Sequence, residues 1–215
     1  HLPTTFFIAA PIIKGAAFVY IGLTVGAAVL RTLCIALISR ILLPPTNSDI
    51  PVNEPTTNKE TPFRTALNNT LKRFHRRIRK IVNYTVPIYI LFYFLGEAGF
   101  FKAAEQFMGQ HLGWMSWLTP QAISILTMQM AAEFTAGLAA AGSLLASGSM
   151  ESREIVLVLL IGNVLSSPIR AIRHQYPYYA GIFKPGLAAQ LILFSQSFRA
   201  LSIALMAVVY YTLSM

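Results

Sequence analysis

Residues 155–174 read IVLVLLIGNVLSSPIRAIRH, and this stretch decides the fold. The uncharged run from Ile155 to Ile169 covers about 15 residues, whereas a helix crossing a bilayer core takes about 20. Asn163, Ser166, Ser167 and Pro168 interrupt it. Proline disfavours helical geometry in the residue before it, here Ser167, and suits the first turn of a new helix. The expectation is a half-helix ending near Asn163 and a second beginning at Pro168, with Ser167 as its cap. Arg170, Arg173 and His174 then share one face of the second helix. A broken or re-entrant element is favoured over a plain polar loop. A re-entrant hairpin returns these cations to the cytoplasmic side, as the positive-inside rule prefers, and a full crossing puts them outside.

The rest of the chain supports a membrane setting for this break. Of 215 residues, 55% are hydrophobic and 12% charged, and Lys and Arg outnumber Asp and Glu by 17 to 8. Mean hydropathy is +0.57. Soluble domains carry about 25% charged residues, and disordered chains have low hydrophobicity. The composition excludes both classes and predicts an all-α, polytopic integral membrane bundle with a broken or re-entrant helix. Six of the 17 basic residues fall in the run Lys72–Lys80. That clustering fits the cytoplasmic edge of a membrane protein better than the basic face of a nucleic-acid-binding module.

Four spans are expected. The first lies near 16–42, preceded by an approach segment, with Gly22 and Gly26 spaced for a close helix contact. Residues 44–62 contain five prolines among Asn, Thr, Asp and Glu, and this reads as a polar linker. Residues 63–82 form a basic amphipathic helix. Phe63, Leu67, Leu71, Phe74, Ile78 and Ile81 recur every three or four positions, which suits an anionic lipid surface. The second span is 81–100. Residues 101–119 are amphipathic, and Trp114 and Trp117 suit the headgroup layer. The third span is 120–147, with Gln129, Glu133 and Gly137 one turn apart beside a strip formed by Ala132, Ala136 and Ala140. Gly148 ends that helix and Ser149 caps the next. Residues 175–186 read as a rigid aromatic loop. The last span, near 187–213, holds Gln196 and Arg199 on one face. These boundaries give three regions: 1–43, a transmembrane region; 44–62, the linker; and 63–215, a membrane domain with a basic entry helix. Residues 44–82 are expected in the cytoplasm.

Glu133 is the lone acid in a long apolar stretch. An acid at membrane depth is costly and usually faces protein or water, so Glu133 is expected to face the interior. Its candidate partners are Arg199 across the bundle, unless that side chain snorkels to the surface, and Arg170 and Arg173 after the break. His111 is an interfacial residue, since no second ligand stands at a suitable spacing. Cys34, the single cysteine, can form neither an intrachain disulfide nor a zinc site. The chain starts at His1, which leaves room for upstream residues. Its first apolar stretch, with Arg31 and Arg40, does not read as a signal peptide.

The run Met128–Gly142, the segment Gly162-Asn163-Val164-Leu165-Ser166-Ser167-Pro168-Ile169-Arg170 and the following Arg173-His174-Gln175 resemble archaeal nucleoside-recognition, or Gate-domain, membrane proteins. The resemblance covers roughly residues 70–213 and leaves the first 60 unmatched. The unit is similar to a domain repeated in ferrous-iron permeases, spore-maturation membrane proteins and concentrative nucleoside transporters. The resemblance implies discontinuous membrane helices and a part in solute passage. It does not identify a ligand.

No nucleophile elbow, phosphate loop or zinc-protease helix occurs in the sequence, so neither an enzyme nor a cofactor or metal is expected. Two functions remain. One is a transporter, permease or gated pore for a small polar or anionic solute. Its candidate residues are Gln129, Glu133, Asn163, Ser166, Ser167, Arg170, Arg173, His174, Gln196 and Arg199, around the break at Pro168. The other is a non-transporting structural or assembly protein, in which the same residues lock the break. Alternating access often uses paired repeats. No second copy of the break is evident in the sequence, and a homodimer or membrane partner could supply the missing half.

Overall fold

A computed structural model describes residues 2–42, 63–111 and 119–214. Every regular element among them is helical. In order these are α1 (Leu2–Ile13), α2 (Gly15–Leu42), α3 (Phe63–Glu97), α4 (Phe100–His111), α5 (Pro120–Ala132), α6 (Phe134–Ala146) and α7 (Ser152–Leu165). They continue with α8 (Ser167–Arg170), a π-helical turn (Ala171–Gln175), α9 (Tyr176–Ile182) and α10 (Pro185–Leu213). The expected linker at 44–62, along with Trp114 and Trp117, lies outside the described residues, as does the side chain of His111.

Two helices, α2 and α10, are each long and apolar enough to cross a membrane; counting two bent pairs, α3 with α4 and α7 with α8–α9, raises the number to four. The approach segment before α2 is itself a helix, α1. It turns into α2 at Lys14, whose φ is 48°. At Gly142 a Cβ would collide with Ile12, so glycine is what lets α1 lie against α6. Gly26 faces Met206 of α10, whereas Gly22 has no close neighbour. Ala9, Ile13, Ala17, Ile125, Leu126, Leu138, Ile155 and Leu159 belong to one buried cluster. The N-terminal region therefore shares its core with the second half of the chain.

Three expectations change. The basic amphipathic segment and the second span are one helix, α3, of 35 residues with Pro87 inside it. Nothing between residues 78 and 84 breaks helix periodicity, so no joint forms there. Residues 176–182 are helical rather than loop, because Pro177 at the start of α9 supplies the fixed φ of a first turn. The cap of α7 is Glu151, not Ser149. Its capping box is completed by Glu154, whose carboxylate accepts from the Glu151 backbone N–H at 3.1 Å.

The larger change concerns 120–147. This stretch is not one helix. It breaks at Glu133 into α5 and α6, which lie antiparallel. Gln129 meets Gly137, and Pro120 and Gln121 share a groove with Ser143 and Leu144. A continuous helix would hold Gln129 and Gly137 about 12 Å apart. The hairpin thus replaces the expected turn-by-turn strip of Gln129, Glu133 and Gly137, and Glu133 stands at its tip. Between α7 and α8–α9, where the sequence allows a re-entrant hairpin, the chain instead bends by 46° and continues.

Candidate functional site

The two interruptions meet. α5 and α7 run side by side, with Gln129 against Gly162 and the Glu133 tip reaching Arg173 and His174. α7 and α10 run antiparallel, because Arg153 bonds Ser214 near one end and Ser167 bonds Gln196 at the other. α3 lies antiparallel to the segment after the bend. Tyr89 contacts His174, Tyr84 contacts Tyr176, and Ile81 lies against Gly181.

At the bend, Ser166 is the joint, with φ −77° and ψ −11°, and its N–H still bonds the Gly162 carbonyl at 2.9 Å. Ser167 is helical, not an extended cap. Its hydroxyl instead donates to Gln196 Oε1 at 3.1 Å, and Gln196 Nε2 donates to Gln175 Oε1 at 2.6 Å. Pro168 has no N–H to give to the preceding turn, and the helix axis bends there instead of stopping. Three residues after Pro168 the backbone widens into the π-helical turn, where the Tyr176 N–H bonds the Ala171 carbonyl. Such turns often mark functional sites. Here the turn separates cations expected on one face. Arg170 points back to Asn163, while Arg173 and His174 point to Glu133.

Asn163 is buried and organises the first group. Its Oδ1 accepts from Arg170 Nη2 at 2.8 Å and from Arg199 Nη2 at 3.4 Å. Its backbone carbonyl also accepts from Arg170 at 3.3 Å, and its Nδ2 donates to the Tyr20 hydroxyl at 3.2 Å. The Tyr20 ring stacks on Phe134, the first residue after the hairpin tip, at 5.5 Å. Arg199, a candidate partner of Glu133, is therefore held by Asn163.

Glu133 pairs with Arg173 Nη2 at 2.7 Å and His174 Nε2 at 2.8 Å. Arg173 also donates to the Ala131 carbonyl at 3.3 Å and lies over the Tyr89 and Phe92 rings. The Glu133 side chain is 52% exposed, so it is not the interior residue expected. Having polar partners, it marks an open tip. Its backbone lies at φ 80°, ψ 176°, a region that essentially only glycine occupies without strain.

Between these groups lies a cavity of about 70 Å³ lined by Gln129, Glu133, Phe134, Ser166, Arg170 and Arg173, among others. Gln129 is buried, and neither atom of its amide has a hydrogen-bond partner among the described residues; the same holds for Arg170 Nε. A buried amide left unpaired typically costs about 1–3 kcal/mol. Gln129 fits there because Gly137 and Gly162 are glycines; a Cβ at either position would strike its side chain. Arg170 and Arg199 have no carboxylate within ion-pair distance among the described residues, where Glu133 is bridged only to Arg173 and His174. No group of three or more potential metal ligands occurs among the described residues.

All ten candidate side chains thus lie on the two interruptions or on α10 opposite them. Sequence reasoning missed Tyr20, Tyr89 and Gln175. Tyr20 and Tyr89 are tyrosines inside apolar helices, where a hydroxyl normally seeks a partner, and that was the available signal.

Comparison with known proteins adds little to this geometry. No family model matches the chain, and no solved structure matches it. An uncharacterized protein of Methanocaldococcus jannaschii is 26% identical over 192 residues, or 88% of this chain. The chain spans 58% of that relative's length.

Proposed function

We propose that the protein is a polytopic membrane permease, with the character of a Gate domain, that carries a small inorganic or similarly compact anion. The observation that carries this reading is the uncompensated positive charge around the cavity. Arg170, on the cavity wall, and Arg199, which shares Asn163 Oδ1 with it from outside the lining, are held by neutral oxygens, and the unpaired amide of Gln129 and Arg170 Nε stand beside the cavity. Both guanidiniums are part-buried; charge drawn out of water without a counter-ion is costly, and an anion would supply the missing partner. The cavity volume of about 70 Å³ suits an ion with little hydration. It is far below the roughly 300 Å³ of sites for larger organic ligands, which argues against a nucleoside in this conformation.

Depth supports the same reading. Tyr89 stands about nine residues, or 13 Å, along α3 from Lys80, and Gln196 about 16 Å into α10 from Pro185. Both distances match half of a bilayer core about 30 Å thick. With the basic run on the cytoplasmic side, the bend and the tip meet near the midplane, and α5–α6 enters from the opposite face as a re-entrant hairpin. Irregular backbone at that depth is tolerated where it lines a cavity, and discontinuous helices at the midplane are where transporters bind solutes. Anionic headgroups would hold the basic part of α3.

The test is uptake of radiolabelled chloride and of nitrate into liposomes containing the full chain. Saturable uptake that is lost in Arg170→Gln supports the permease. Absence of uptake for a panel of small anions, with the protein folded and oriented, favours the alternative, a structural or assembly protein whose ionic contacts only lock the bend.

A further inference from the structure

We infer that Glu133 is a proton-binding residue that couples each anion carried to one proton, making the transport an electroneutral symport. This rests on the anion-carrying reading above. The argument begins with where Glu133 stands. Its carboxylate lines the same cavity as Arg170 and occupies Arg173 Nη2 at 2.7 Å and His174 Nε2 at 2.8 Å. It is the only acid among the described residues on that wall. An anion entering while Glu133 is ionised meets a like charge and finds Arg173 already engaged. Two negative groups lining one small cavity repel each other, and neutralising one of them relieves the repulsion. Adding a proton to the carboxylate forms one O–H bond and frees the Arg173 guanidinium for the anion. Proton and anion enter together, so the charge of the site is the same before and after loading.

The surroundings of Glu133 serve both of its protonation states. His174 Nδ1 lies 2.7 Å from the Tyr89 hydroxyl, and Arg173 Nε lies 3.3 Å from His174 Nε2. With Glu133 ionised, neutral His174 donates from Nε2 to the carboxylate and accepts the Tyr89 O–H at Nδ1. With Glu133 protonated, the carboxyl O–H donates to Nε2 and Nδ1–H donates to the Tyr89 oxygen. The imidazole exchanges tautomers, so both of its own nitrogens stay hydrogen-bonded in either state. The charged and titratable groups facing the pair are Arg173 on the π-helical turn, Arg170 on α8 and Tyr89 on α3. The exposure of the tip gives protons a route to the carboxylate.

The experiment uses the full chain in liposomes loaded with a pH-sensitive dye, with chloride and nitrate as probes. An inward anion gradient is expected to acidify the interior with one proton per anion, and uptake should rise as external pH falls. Whatever anion uptake Glu133→Gln retains should come without acidification and with no pH dependence; acidification by this variant overturns the coupling. A second readout needs no variant: with potassium and valinomycin setting the membrane potential, wild-type uptake should not respond to voltage. Anion uptake without acidification, or uptake driven by voltage, overturns the coupling and leaves the permease standing. No uptake of either probe by the wild type removes both.

Discussion

His174 Nε2 lies 2.8 Å from Glu133 Oε1 although 41 residues separate them. The contact exists because the chain is interrupted twice. The break at Glu133 turns α5 back into α6 and leaves the carboxylate at a tip. The π-helical turn after the bend at Ser166 then swings His174 away from Arg170 and toward that tip. A continuous helix at either place would bury or remove one partner. The contact therefore couples the geometry of the hairpin to that of the bend.

Gln129 is wedged between Gly137 and Gly162, where a methyl group on either would strike it. Gly162→Ala is expected to lower stability by about 1–3 kcal/mol through overpacking and to reduce anion uptake by displacing the amide. Gly186→Ala, in α10 where nothing stands within 4 Å, is the control: it should leave uptake unchanged and raise stability by about 0.4–1 kcal/mol, since alanine loses less entropy on folding. Thermal unfolding in detergent and liposome uptake measure the two effects.

The strained backbone of Glu133 makes a separate prediction. Glu133→Ala and Glu133→Gly both lose the ion pair, but only glycine is at ease at φ 80°, ψ 176°. Glu133→Gly should be the more stable of the two by about 1–2 kcal/mol, after allowing for the larger entropy that glycine loses on folding. Equal stabilities, or the reverse order, would mean that the tip does not hold this conformation.

The bend was legible in the sequence because Pro168 and the serines before it act locally, through a missing N–H and a restricted neighbour. The hairpin was not. Nothing at Ala131-Ala132-Glu133-Phe134 is a helix breaker, and an acid among alanines has good helix propensity. Tertiary contacts decide the matter: Gln129 needs both glycines, and Phe134 needs the Tyr20 ring. Which cation meets Glu133 is likewise open in the sequence, where Arg199 across the bundle and Arg170 and Arg173 after the break are all candidates; the structure brings Arg173 to it, together with His174. Charge type was readable from sequence; which cation points where depended on the π-helical turn.

Antiparallel packing of α3 with α9 brings the basic run and the start of α10 to one side, since Ile81 touches Gly181. In a chain with Cys34 replaced by serine, cysteines introduced at Lys72 and at Lys184 should react with an impermeant maleimide only after cells are opened. Labelling of the two sites from opposite sides would break the proposed topology.

Asn163→Asp separates a transport site from a structural lock. Asn163 Oδ1 already accepts from Arg170 at 2.8 Å and Arg199 at 3.4 Å. A carboxylate of nearly the same shape keeps both bonds, already charge-assisted by the guanidinium donors, and turns each into an ion pair. The Tyr20 hydroxyl, now an acceptor from Nδ2, can rotate to donate to the new oxygen. Desolvation of the carboxylate opposes this gain, but the two arginines have already been desolvated without a counter-ion. Stability should therefore be retained or should rise by about 1 kcal/mol. The same change places a fixed negative charge where the carried anion would be attracted, so uptake of chloride and nitrate should fall at least tenfold. If the arginines only lock the bend, the variant gains the same stability and loses nothing, and undiminished uptake in a stabilised Asn163→Asp protein would remove Arg170 and Arg199 from the anion path.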